Sequence, residues 1–170
     1  MTRSLLVPAL ALALTACTSD PTGPDAMAAR PAAAAARRTP VVAVHGTFAS
    51  AETGVYDPAT NTVQMTLHGS GNASLVGRYT WEARFLLDVA TSTAVGTVTL
   101  TAADGSTLVA TTTGIGVATD GIAEIVETAT ITGGTGRFDG ATGTLRVSRT
   151  LDQGSGISSG AISGDVGFGG

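Results

Sequence analysis

The sequence predicts an all-β domain, and three observations predict it. From residue 41 onward apolar side chains alternate with polar or small ones, and glycine-rich breaks recur between the runs. Thr, Val and Gly are abundant, helix formers are few beyond residue 40, and charged residues are only 13% of the chain, a composition suited to pleated, half-buried surfaces. Eight strand-length runs fit between residues 41 and 170 with mostly short connections. Such an antiparallel sheet has to hide its edges, and full closure into a barrel does so completely. An eight-stranded barrel is just wide enough to be filled by side chains or to hold one small ligand. A β-sandwich is the alternative architecture.

The runs predict strands at 41–50, 62–69, 73–88, 94–103, 106–115, 122–132, 142–151 and 157–168. Asp104-Gly105 is a strong hairpin signal, because a type I′ turn needs positive φ at both central positions. Asp120-Gly121 marks a second turn, and Asp57-Pro58-Ala59-Thr60-Asn61 a third, with Pro at a turn-favoured position. The clearest strand is the third. Tyr79, Trp81, Ala83, Phe85 and Leu87 share one face, and Arg78, Thr80, Glu82 and Arg84 the other, so one face is apolar and the opposite one is expected to meet solvent rather than a polar lumen.

The first forty residues are expected to be an address and a tether. Residues 1–16 have the pattern of a secretory signal, with Arg3 at the positive start and a short apolar core over 5–14. That core is too short to remain as a membrane-spanning helix. Leu14-Thr15-Ala16-Cys17 resembles the lipobox of bacterial lipoproteins, in which the signal is cut before the cysteine and its sulfur takes up a diacylglycerol. The resemblance implies a lipidated Cys17, export to the cell envelope and membrane anchoring, at the outer membrane in a Gram-negative host given Thr18 after the cysteine. Two or more acyl chains hold a protein stably on a bilayer, at about 0.8 kcal/mol per buried methylene. Residues 17–40 are rich in Ala, Pro and Arg without a periodic apolar face. The Ala run at 32–36 lies between Pro31 and Pro40 and is too short for a stable helix. A flexible tether of this length spans roughly 25 Å. Arg30, Arg37 and Arg38 are expected to be solvated linker charges. Residues 41–170 form the β domain.

Charge and cysteine content exclude several classes. The β domain holds 11 acids against 5 arginines, a net of −6, and the chain has no lysine. A nucleic-acid surface needs clustered cations, so none is expected. Cys17 is the sole cysteine, which excludes an internal disulfide and a multi-cysteine metal centre. His45 and His68 are the only histidines; no ligand spacing joins them to carboxylates, and neither a metal nor a cofactor is expected.

The densest glycine stretch runs from Thr132 to Gly143, with Phe138 as its one bulky residue. Gly133, Gly134, Gly136, Phe138, Ala141 and Gly143 match a strand, a Gly-Gly-x-Gly-x-Phe turn and an Ala-x-Gly strand entry. This stretch resembles the signature shared by dirigent proteins and allene oxide cyclases. The resemblance covers about 13 residues and implies a closed eight-stranded antiparallel barrel, often trimeric in those families. The residues support the same corner unaided: glycines allow positive φ where one strand leaves sharply for the next, and Phe138 is placed to fold back as a plug. Arg137 and Asp139 are expected to face solvent or cap backbone groups. Nucleotide-loop spacing fails here and no helix follows, so a phosphate-binding loop is rejected.

Function does not follow from a fold, and the acids and arginines of those families lie outside the shared stretch. Glu127 stands in a row with Ile125, Ala129 and Ile131, where burial would raise its pKa and make it a general acid or ligand anchor; Glu124 and Val126 occupy the opposite face, and alternation leaves the inward face open. Arg149, in a row with Leu145, Val147 and Leu151, is the candidate partner of Glu127. Tyr79 and Trp81 are candidates for the core or for a pocket wall. His45 lies in the first strand, where an interior position would make it a structural residue rather than a base, and no Ser-His-Asp set with a nucleophile turn occurs. Two functions from different classes fit. One is an envelope lipoprotein whose barrel binds a small apolar ligand or serves a structural surface role. The other is a cyclase- or isomerase-like enzyme that steers a lipid-like molecule with a lumen carboxylate.

Overall fold

The computed structural model describes residues 40–169. The lipobox, the tether and the expected lipidation of Cys17 lie outside the described residues. Eight strands follow one another: β1 (Val41–Asp57), β2 (Thr62–Ala73), β3 (Gly77–Asp88), β4 (Thr93–Ala102), β5 (Thr107–Thr119), β6 (Ile122–Gly134), β7 (Ala141–Asp152) and β8 (Ile157–Phe168). Each pairs antiparallel with the next, and β8 returns to β1, closing the barrel with pairs from Val41–Gly167 to Ala51–Ile157. Every strand is therefore paired on both sides, and the sandwich alternative is excluded. Side chains alternate inward and outward along each strand, as the pleat requires. The core is formed by inward residues including Phe48, Leu67, Tyr79, Trp81, Leu108, Leu145 and Val166. Glu82 and Arg84 lie on the exposed outer face of β3.

The two ends of the barrel differ. At one end the loops 74–76, 103–106 and 135–140 form a plug. There a short 3-10 turn, Gly136–Phe138, buries Phe138 to 1% exposure. Arg137 laces the three loops together. Its Nη2 donates to the Val76 carbonyl at 2.6 Å, its Nε lies 3.2 Å from Asp104 Oδ2, and its backbone N–H donates to Ser106 Oγ at 3.2 Å. The guanidinium sits 4.7 Å from the Phe138 ring centroid, a favourable cation–π placement.

The other end carries the loops 58–61, 89–92, 120–121 and 153–156 and is open. Three of these turns share a device. The Oδ1 atoms of Asp57, Asp88 and Asp152 accept backbone N–H groups two or three residues ahead, at 2.8–3.3 Å, the Asx-turn geometry that initiates tight loops. The fourth is the two-residue turn of Asp120 (φ 52°) and Gly121 (φ 82°), the type I′ form.

Several boundaries depart from expectation. The type I′ geometry expected at Asp104-Gly105 is absent, because only Gly105 has positive φ. The loop closes instead through Gly105 N–H to the Ala102 carbonyl, with Asp104 Oδ1 accepting from Ser106 N–H. β2 does not end at residue 69 but runs to Ala73, and the turn falls at 74–76. The glycines that suggested a break, Gly69 and Gly71, stay in the strand because a Cβ there would strike the inward rings of Trp81 and Tyr79. β1 and β5 extend to Asp57 and Thr119, seven and four residues or so beyond expectation, and build the wall of the open end. β6 also reaches Gly134, with a bulge opposite Val109 and Ala110.

Candidate functional site

The interior is layered along the barrel axis. Above the plug lies an apolar layer of Phe48, Tyr79, Trp81 and Leu100, with Phe48 and Trp81 edge to face at 5.1 Å. Within it is a chamber of about 50 Å³, also lined by Thr112 and Glu127. Trp81 Nε1 and Thr112 Oγ1 are buried without a protein hydrogen-bond partner, so this chamber has polar points despite its apolar wall. Tyr79 and Trp81 thus line the inner chamber, away from the open mouth. Burial pushes the Tyr79 phenol up to about 12, which keeps it a neutral group.

The next layer is ionic. Arg149 projects inward from β7 between two carboxylates, Glu127 of β6 and Glu52 of β1. Its Nη2 donates to Glu127 Oε1 at 3.1 Å, and its Nη1 donates to Glu52 Oε1. Exposures of 8% for Glu52, 4% for Glu127 and 7% for Arg149 make this a buried triad. Ser50 and Ser158, hydrogen bonded to each other at 2.7 Å, are buried on the same strands, β1 and β8, that wall it on one side. Glycines on neighbouring strands make the room. A Cβ at Gly114 would meet the Glu127 side chain, and one at Gly160 would meet Arg149 Cβ.

The triad is not saturated. Glu52 Oε2 and Arg149 Nε are buried and have no hydrogen-bond partner in the protein. Burial pushes the Glu52 carboxyl above the usual carboxylate range; the Arg149 charge and the nearby Ser158 hydroxyl oppose this, and Glu127 adds to it. One guanidinium between two carboxylates leaves the layer one positive charge short when both acids are ionised.

Beyond the triad the barrel opens into a cavity of about 470 Å³, within the range of small-molecule sites. Its wall is mainly apolar, with Met65, Phe85, Leu87, Ile125 and Leu151, and Glu52, Glu127 and Arg149 also line it. Gly114 and Gly116 of β5 widen it. This is a pocket that can seat an apolar body against a few fixed polar groups.

The candidate residues of the sequence therefore separate. Glu127 and Arg149 come together in the lumen. Glu52 was missed, although Val44, Phe48, Ser50 and Glu52 share one strand parity; the first strand was expected to end before it. His45 is a correction: it is exposed on the outer face of β1, where its backbone N–H donates to Ser74 Oγ and its carbonyl accepts from Ser74 N–H, because its parity is opposite to Val44 and Phe48. His68 is also outside, 3.6 Å from Glu82. Among the described residues no group of three or more His, Cys, Asp or Glu side chains is placed to hold a metal ion.

No protein-family model and no curated protein sequence matches the chain. Among solved structures the barrel is similar to that of the pterocarpan synthase dirigent protein GePTS1. The TM-score is 0.60 at 15% identity, over 86% of this chain and 99% of the other. The likeness establishes a dirigent-like eight-stranded barrel; at this identity it is a likeness of fold.

Proposed function

We propose that this protein is an envelope lipoprotein, anchored through Cys17, whose barrel takes up a small and largely apolar molecule through its open mouth. The observation that carries this reading is the cavity of about 470 Å³, apolar on its walls and floored by a buried, unsaturated ion triad. A purely structural barrel has no need to leave such a space or to bury three charges beneath it, since interiors otherwise pack to near-crystalline density and buried ion pairs add little stability over apolar replacements.

Cavity filling tests the pocket. Ala123 faces the mouth cavity and is buried. An environment-sensitive apolar dye is expected to bind the wild-type protein, and Ala123→Trp to weaken that binding at least about tenfold while the barrel still unfolds cooperatively. Equal binding by both proteins, or none by the wild type, sinks the pocket reading and leaves a structural role. Native mass spectrometry of protein purified from its own host is expected to show a co-purifying lipophile. Cys17→Ala is expected to release the protein from membranes into the soluble fraction, and continued tight association would overturn lipid anchoring.

A second reading is favoured by Glu52. A buried carboxylate with one free oxygen and a raised pKa facing a substrate-sized cavity is the arrangement of a general base or acid. The solved neighbour is a pterocarpan synthase dirigent protein, which accords with a cyclase- or isomerase-like activity on a similar scaffold. On this reading Glu52 or Glu127 steers proton movement on a lipid-like molecule, and Glu→Gln at the acting position abolishes turnover without loss of fold.

A further inference from the structure

We infer that the mouth cavity selects a cationic ligand: an ammonium group on a compact apolar body, seated with its charge at the free oxygen of Glu52. The inference rests on the ligand-binding reading above and names the class of molecule.

Three charged residues line the cavity, the acids Glu52 and Glu127 and the single cation Arg149. At the floor stand Glu52 and Glu127, and both terminal nitrogens of Arg149 are already engaged by them. At the rim Asp57, Asp88, Asp120 and Asp152 stand at the four mouth-side turns, and the loops 58–61, 89–92, 120–121 and 153–156 contain no Arg or Lys. The other arginines of the described residues lie elsewhere: Arg137 in the plug, Arg78 beside it, and Arg84 and Arg146 on the outer wall. A cleft lined by one sign of charge with low-dielectric walls focuses its field on an entering ion. An anion would pass the acidic turns at the mouth and meet two carboxylates at the floor.

The second observation is independent of this net charge. Glu52 Oε2 is buried and accepts no hydrogen bond, and leaving a buried charged acceptor without a donor is costly. An ammonium supplies both missing quantities at once, a donor for that oxygen and the positive charge the triad lacks. A charge-assisted N–H to carboxylate bond is about twice as strong as a neutral one, so a hydroxyl in the same place satisfies the oxygen but leaves the charge uncompensated. The apolar walls of Phe85, Met65, Leu87 and Ile125 fix the body of the ligand as apolar.

Three water-soluble probes of matched shape test the assignment: cyclohexylmethylamine, cyclohexylmethanol and cyclohexanecarboxylic acid. Their affinities for the full chain in lipid nanodiscs are measured by calorimetry at pH 7, with empty nanodiscs as the blank. The amine is expected to bind at least about tenfold tighter than the alcohol, and the acid to bind weakest. Glu52→Gln is expected to remove the advantage of the amine over the alcohol. Equal affinity for amine and alcohol in the wild type overturns the inference, as does tightest binding of the acid, which would make Arg149 the recognition group. These comparisons use the wild type alone and hold even if the variant fails to fold. If the apolar dye binds and the amine does not, the charge selection is wrong and the pocket stands; if neither binds, the pocket reading itself has failed.

Discussion

Phe138 and Glu52 show how far single residues can be read. Phe138 is the one bulky side chain in a glycine-dense corner, and that contrast alone marks it as an anchor. In the barrel it is buried to 1% exposure, and Gly134 is a glycine because a Cβ there would lie 2.7 Å from the Phe138 carbonyl oxygen. Phe138→Ala is expected to destabilise the domain by about 3–5 kcal/mol, the usual cost of emptying a buried aromatic site. Denaturant unfolding measures it, and a loss under about 1 kcal/mol would mean the plug end collapses onto the space or never depended on the ring. Glu52 was less legible. Its parity with Phe48 pointed inward, but Glu in an Ala-Glu-Thr-Gly stretch also reads as the end of a strand. A carboxylate is ordinarily exposed, and only the partner on β7, 97 residues away, makes its burial tolerable. Long-range compensation of this kind leaves no local mark in a sequence.

At the scale of the strands, all eight were legible from alternation because each has one face in the core. Their ends were not, and glycine explains why. Glycine has two uses here that look alike in sequence. In the corner after β6, Gly136 (φ 60°) turns the chain. Inside the strands Gly69, Gly71, Gly96, Gly114 and Gly160 instead clear space for Trp81, Tyr79, Phe85, Glu127 and Arg149 on the adjacent strand. The register makes the rule explicit: Gly69 pairs with Trp81, Gly71 with Tyr79, Gly96 with Phe85, Gly114 with Glu127, and Gly160 with Arg149. Each of these five large inward side chains faces an inward glycine, so a narrow barrel holds rings and charges without widening. Glycines in β2 therefore suggested a break where the strand continues to Ala73. Knowing the pairing would have revealed both the uninterrupted strand and the buried ions, but pairing is a property of the closed sheet.

For the molecule as a whole the question is what the ion layer contributes, and stability and function give opposite answers. Arg149→Met leaves Glu52 and Glu127 buried without a counter-charge. Breaking a buried ion pair from one side typically costs about 3–5 kcal/mol, so this variant is expected to lose that much in equilibrium unfolding. Replacing all three together, as Glu52→Leu, Glu127→Leu and Arg149→Met, removes the desolvated charges along with their attraction. Such apolar replacements are often neutral or stabilising by about 1–4 kcal/mol. The triple variant is therefore expected to be at least as stable as the wild type and to keep the closed barrel, since every strand is paired on both sides. It is also expected to lose the preference for the amine probe over the alcohol while still accepting the apolar dye. If the triple variant instead unfolds as readily as Arg149→Met, the ion layer is a structural clamp on which closure depends, and its charges are explained without a ligand. Stability retained with selectivity lost would place the layer among features kept for what the barrel holds, at no gain to the fold that holds it.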